Sequence, residues 1–172
     1  MRKHLAIRDN QDGTCTITTS AGQEILISEA DREKAMRHSW CLSKTGYPVA
    51  NIRKKVTKMH RYLLGLDNSD KRIVDHINGN CLDNRRENLR ICTQRQNGKN
   101  LGIKKTNSSG CAGVRVTPHG TFNVRITVDW EEKHIGNYKT FAEAIQARKS
   151  AEKFYYGEFA PNGRNVRAEI RE

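Results

Sequence analysis

The residues best suited to chemistry lie close together between positions 74 and 100. Asp75 and His76 follow an apolar pair there and precede Asn78-Gly79, a dipeptide typical of hairpin turns. Imidazole exchanges protons near neutral pH, and carboxylate oxygens are ligands that Mg²⁺ prefers. The spacing predicts a β-ribbon with an acid and an imidazole at its tip.

A second strand and a helix are predicted to follow this turn. The strand is placed near Leu89-Arg90-Ile91, and Thr93 with Gln96 forms the T-x-x-Q pattern that begins many helices. The helix carries Asn97, and Asn100 lies on the same face three residues later. The predicted order is therefore strand, loop, strand, helix.

This order resembles the HNH, or ββα-metal, endonucleases of the phage and homing type. The resemblance covers residues 59–100 and rests on Asp75, His76, Asn88 and Asn97, within the text HINGN, DNR and ENLR. It implies a DNA endonuclease that depends on Mg²⁺ or Mn²⁺. A single set of these residues predicts a monomer that mainly nicks its target.

The resemblance also assigns a role to each residue. His76 is the candidate general base that activates water, and Asn88 is the candidate brace that holds the loop and orients His76. Asp75 and Asn97 are the candidate metal ligands, which leaves coordination positions for water and phosphate. Asn100 is a rival to Asn97 for the second ligand.

The residues ahead of this motif are assigned a supporting role. Residues 1–58 form a β-rich lead-in with strands at Cys15–Thr18 and Ile25–Ile27, and Ser28 with Asp31 indicates a helix start. His60-Arg61 resembles the opening strand of the family. Arg61 there is a candidate phosphate contact, and a surface salt bridge is an equal alternative.

The C-terminal segment alternates apolar and polar residues, which predicts strands with one buried and one polar face. A third strand is placed at 133–138, and Thr140 with Glu143 is expected to cap a helix that covers the apolar face. The candidate DNA-binding residues of this segment are Arg115, Asn123, Arg125, Thr127 and Lys133.

This pattern resembles the APETALA/ethylene-response-factor DNA-binding domain over residues 110–161. The matching text is GVRV, FNVRI, IGNY, the helix FAEAIQARKSAEKFYYG and the closing EFAP. The resemblance implies a sheet that presents arginine and amide groups to duplex DNA.

The net charge of the chain also favours DNA as the partner. The 31 Lys and Arg residues exceed the 19 Asp and Glu residues, for a net charge of +12 that is spread along the chain. We therefore expect double-stranded DNA as the partner, with no membrane contact and no obligate protein partner. The N-terminus lacks an apolar signal region, which predicts the cytoplasm of a bacterial or phage-infected cell.

The predicted fold class is α+β. The expected domains are the lead-in (1–58), a ββα-metal nuclease core (59–103), a linker (104–110), a three-stranded antiparallel sheet with one helix (111–162) and a tail (163–172). The alternative function is a sequence-specific DNA-binding regulator with an inactive nuclease fold. The intact set of Asp75, His76, Asn88 and Asn97 favours the enzyme.

Overall fold

The computed structural model describes residues 6–103, 106–161 and 166. The chain divides into two compact units, Met1–Thr93 and Gln94–Glu172, and its several small sheets and few helices confirm the predicted α+β class. The division lies ahead of the predicted linker 104–110, of which 104–105 are outside the described residues. The predicted tail 163–172 also lies outside them except for Val166, and the predicted domain limits stay predictions.

The first unit is built from short strands and two short helices. They are β1 (Ala6–Asp9), β2 (Thr14–Thr18), β3 (Glu24–Ser28), α1 (Arg32–Met36), β4 (Cys41–Leu42), β5 (Pro48–Ile52), β6 (Lys55–Lys58), α2 (Met59–Leu63), β7 (Ile73–His76), β8 (Asp83–Asn84) and β9 (Leu89–Cys92). Single 3-10 turns lie at Glu29–Asp31 and Arg86–Asn88. The strands predicted near residues 15–18, 25–27 and 89–91 are confirmed.

The described residues of this unit form three sheets. Their strand orders are β1-β2-β3-β8, β4-β5-β6 and β7-β9. Alternate residues of β2 and β3 are fully buried, and they pack against α1, α2 and Trp40 in one apolar core. This burial is the main stabilising contribution of the unit, because apolar area removed from water contributes about 25 cal/mol per Å².

Strand β8 joins the first sheet by parallel pairing with β3. Leu26 pairs with Asp83 and Ile27 with Asn84, and the Leu26 amide also donates to the Leu82 carbonyl at 2.9 Å. The loop that follows β7 is therefore held by the N-terminal sheet, so the lead-in residues help to position the site.

Two local predictions in this unit need correction. A helix does begin after Ser28, but the side chains of Ser28 and Asp31 bond to Arg86 instead of capping it. His60 and Arg61 lie on helix α2 and not on a strand. A helix of five residues is too short to show the periodicity by which a sequence reveals helical structure.

The second unit contains a helix, a sheet and a longer helix. Its elements are α3 (Gln94–Lys99), β10 (Val114–Val116), β11 (Phe122–Val128), β12 (Glu131–Tyr138) and α4 (Phe141–Tyr156), with a 3-10 turn at Gly157–Phe159. The strands form an antiparallel sheet in the order β10-β11-β12, which confirms the predicted three strands and one helix.

Helix α4 begins at its predicted cap and packs on the sheet as predicted except at Phe154, an expected face residue that is 81% exposed. The Thr140 hydroxyl accepts from the Glu143 amide at 3.2 Å, and the Glu143 carboxylate accepts from the Thr140 amide at 3.1 Å. Buried Ala144 and Ile145 pack with Val114 and Val124 of the sheet. Among the helices described for either unit, none has the length and apolar character needed to cross a membrane.

Candidate active site

His76 is the last residue of β7 and pairs with Leu89 of β9. Its ring is 5% exposed, and the turn after it closes with a 2.8 Å hydrogen bond from the Gly79 amide to the His76 carbonyl. Gly79 has φ +72°, a conformation that glycine adopts without strain. The Asn78-Gly79 signal therefore places His76 at the tip of the ribbon.

Asn84 is the polar neighbour of the His76 ring. Its Oδ1 lies 3.4 Å from His76 Nε2, and its own amide donates to the Cys81 carbonyl at 3.1 Å. Since this second bond turns Oδ1 toward the imidazole, Asn84 favours the tautomer with the proton on Nε2, in which Nδ1 is the proton acceptor. Asn84 is not among the site residues predicted from the sequence. The feature that points to it is its position in the motif text DNR, residues 83–85.

Two further rings enclose His76. The His60 ring packs edge to face against it with centroids 5.0 Å apart, and the Tyr47 ring lies 6.0 Å away. Burial lowers the pKa of His76, against the opposing effect of its hydrogen bond to Asn84, and lowers the pKa of His60 to about 3. Both imidazoles are therefore neutral near pH 7.

Asp75 directly precedes His76, the last residue of β7. It is 8% exposed, and its Oδ2 accepts from Arg90 Nε at 2.9 Å and Nη2 at 2.6 Å. Asp75 and Arg90 are direct partners across β7 and β9. The sheet therefore sets a buried ion pair next to the imidazole, at the end of β7.

Asn88 holds the loop between the two strands. Its side-chain amide donates to the Asp83 carbonyl at 2.7 Å and to Asn78 Oδ1 at 3.0 Å, while its Oδ1 accepts from the Asn78 amide. Arg85 bonds to both oxygens of Asp83, at 2.9 and 2.8 Å. The loop that carries Asn84 is thus tied down, although a catalytic role for Asn88 stays a prediction.

Arg61 has a structural role within the first unit. Its guanidinium donates to the carbonyls of Asp67, Asp70 and Arg72 at 2.6–2.7 Å. These bonds hold the loop that leads into β7. The predicted phosphate contact of Arg61 stays a prediction, and neither alternative from the sequence includes this loop-holding function.

The second candidate ligand belongs to the other unit. Asn97 lies on α3 and is partly exposed, whereas Asn100 follows the helix and is 3% exposed. Within the described residues, no three His, Cys, Asp or Glu side chains gather into a metal cluster. A site of one carboxylate and one amide is a different donor set, and it stays a prediction.

Comparison with known proteins identifies the family. A family model described as HNH endonuclease matches residues 68–99. An uncharacterized HNH endonuclease of Acanthamoeba polyphaga mimivirus is 33% identical over 131 residues, which span 73% of this chain and 67% of that protein. The chain belongs to the HNH endonuclease family. No solved structure matches it at a significant level.

In this HNH protein the family match covers β7, β8, β9 and α3. Asp75, His76, Asn88 and Asn97 all lie inside the matched range, and so does Asn84. Strands β1, β2 and β3 of the first sheet and the whole C-terminal sheet lie outside it. The resemblance of the C-terminal unit to the APETALA/ethylene-response-factor domain therefore stays a prediction.

The polar face of the C-terminal sheet is largely bonded to itself. Arg125 donates to Asn123 at 2.7 Å and to Glu132 at 2.5 Å, and Asn123 donates to Asn137 at 2.8 Å. Lys133 lies 4.0 Å from Glu131. Arg115 and Thr127 are exposed, so Arg115 is the more accessible of the two predicted DNA-binding arginines of this sheet.

Proposed function

We propose that this HNH protein is a metal-dependent endonuclease that hydrolyses a phosphodiester bond of duplex DNA, with His76 as the general base. The observation that carries the proposal is the state of His76. It is buried, which lowers its pKa, its ring packs against two other rings, and its Nε2 is bonded to Asn84. A general base needs such a fixed and unprotonated nitrogen.

The reaction follows from this orientation. His76 Nδ1 takes a proton from water, the water oxygen attacks phosphorus, and the bond from phosphorus to the 3′ oxygen breaks. Asn84 keeps the accepting nitrogen directed at the water, and Asn88 holds the loop that carries Asn84. The leaving 3′ oxygen takes a proton from solvent, and the imidazolium returns its proton to solvent, which restores the base.

Asp75 is the residue of the first unit that would hold the cation, and Asn97 of the second unit stays the predicted second ligand. Their oxygen donors fit Mg²⁺ or Mn²⁺ by chemical type. When bound, the cation supplies stabilisation of the negative charge that develops on the leaving 3′ oxygen. Arg90 fixes the Asp75 carboxylate through Oδ2 and pairs with its buried charge.

The C-terminal sheet is proposed as a DNA-binding surface. Arg115 is exposed beside Asn123, its partner across the strands, and arginine and amide groups are common donors to phosphates and bases. Since one chain carries one set of site residues, we expect one cut per binding event and a nicked product.

Supercoiled plasmid tests the proposal. With Mg²⁺ or Mn²⁺ the wild-type protein should nick the plasmid, and His76→Ala should lose at least about a hundredfold in rate. His119→Ala is the matched control, because His119 is exposed on the second unit. Equal rates for His76→Ala and wild type would remove His76 from the mechanism. End-labelling each strand separately then distinguishes a nick from a double-strand break.

A further inference from the structure

The turn between β5 and β6 has residue types that its backbone does not favour. Arg53 and Lys54 form a two-residue hairpin turn closed by the Ile52 and Lys55 pair, and their φ angles are +50° and +63°. Such turns favour Asn-Gly, because most side chains are strained at positive φ. Both residues are exposed. Backbone geometry therefore does not account for two cations here.

This hairpin belongs to a strongly basic stretch of the chain. Residues 34–66 contain eight Lys and Arg residues and no Asp or Glu. In the part of the chain that the structure describes, no carboxylate pairs with Arg53, Lys54 or Lys55. The same unit pairs many of its other arginines with acids, namely Arg8, Arg72, Arg85, Arg86 and Arg90. The hairpin cations are thus available to an external anion.

A second turn in the protein has the same backbone and the opposite charge. Asp129 and Trp130 join β11 to β12 with φ +55° and +72°. Glu131 and Glu132 follow directly, and Asp129 pairs with Arg95. A hairpin turn with two residues at positive φ therefore does not require cations in this protein. The positive charge of Arg53 and Lys54 needs a separate explanation.

The basic hairpin connects directly to the candidate active site. Strand β6 runs into α2, whose His60 packs against His76. Lys58 Nζ lies 4.3 Å from the Tyr47 ring centroid, and that ring also packs against both histidines. With a rise of about 3.3 Å per strand residue, the turn lies on the order of 10–20 Å from His76, a few base-pair steps of duplex DNA.

We propose that Arg53, Lys54 and Lys55 form a second DNA contact that binds backbone phosphates a few base pairs from the bond that is cut. This inference rests on the proposed function, because it assumes duplex DNA at the His76 site. Exposed cations on a two-residue turn suit phosphate contacts, which fix the position of the duplex without reading its sequence.

The variant Arg53→Asn/Lys54→Gly separates this contact from folding. It removes both charges and installs the residues that the turn prefers, so its thermal midpoint should equal or exceed that of the wild type. Duplex affinity, measured without divalent metal over a range of salt, should fall. Log affinity falls as log salt rises, and this fall should become less steep by about 1.8, at about 0.9 for each of the two lost phosphate contacts.

Arg32→Gln/Arg37→Gln is the matched control, because it removes two exposed charges elsewhere in the same unit. It should leave the salt slope near that of the wild type. An equal decrease in the control would show that only net charge matters and would overturn the inference. If the wild-type protein binds and cleaves duplex DNA but the hairpin variant keeps the wild-type salt slope, the hairpin contact would be overturned and the proposed function would stand. Failure of wild-type protein to bind duplex DNA would overturn the proposed function as well.

Discussion

Removing Arg90 should destabilise the first unit strongly. The side chains of Arg90 and Asp75 are 10% and 9% exposed, and two hydrogen bonds of 2.9 and 2.6 Å join them. Arg90→Gln leaves the buried carboxylate without its compensating charge, which typically costs about 3–5 kcal/mol of unfolding free energy. This loss of unfolding free energy is far larger than the loss expected when one partner of an exposed ion pair is removed.

Urea unfolding followed by tryptophan fluorescence measures this loss. Trp40 is 2% exposed in the core of the first unit, so it reports the state of that unit. At a slope of about 1.5 kcal/mol per molar urea, a loss of about 3 kcal/mol lowers the midpoint by about 2 M. Asp75→Asn/Arg90→Gln should recover most of the loss, since neither residue of that variant is a buried unpaired charge.

Arg72→Gln is the control, because Arg72 pairs with Asp70 at 2.7 Å but is 59% exposed. It should change the midpoint little. If Arg90→Gln unfolds at the same urea concentration as Arg72→Gln, water or a rearranged side chain compensates Asp75. The assignment of Arg90 as its essential counter-ion would then be refuted.

Three further outcomes are expected. Burial lowers the pKa of His60 to about 3, so below about pH 6.5 the unfolded chain binds a proton at this residue that the folded chain does not bind. The contribution of neutral His60 to the unfolding free energy is therefore complete above about pH 6.5. It falls toward pH 3 by up to about 1.4 kcal/mol per pH unit. His60→Phe should flatten this dependence in urea titrations at several pH values. Thr140→Ala removes the hydroxyl of the capping box and should cost about 1 kcal/mol, measured by thermal unfolding. Arg115→Ala should weaken duplex binding more than Arg125→Ala, because Arg125 already bonds to Asn123 and Glu132; equal losses in a binding titration would contradict this.

The sequence predicts the elements whose signals are local. Alternation along β11 and the Thr140 and Glu143 cap depend on neighbouring residues only, and both are confirmed. The turn at Asn78-Gly79 is equally local. These features need no knowledge of the rest of the chain, because backbone geometry and short-range hydrogen bonds determine them.

The contacts that shape the site depend on distant residues. The Arg90 pair with Asp75, the Asn84 bond to His76 and the packing of His60 on His76 all depend on how the sheets assemble. Sequence spacing gives no measure of these distances. The motif therefore predicts His76 and Asp75 as candidate site residues. It does not predict the Tyr47 and His60 rings that pack on His76, or Arg90 as the counter-ion of Asp75.

The parallel pairing of β3 with β8 has a consequence for synthesis on the ribosome. Strand β3 emerges early, but its partner edge at Asp83–Asn84 emerges only after residues 29–82. During that interval the open edge of Ile25–Ile27, an apolar strand, is able to pair with another nascent chain. Fragments that end before Asp83 should therefore tend to aggregate, and completion of β8 would close this edge and assemble the loop around His76 in the same step.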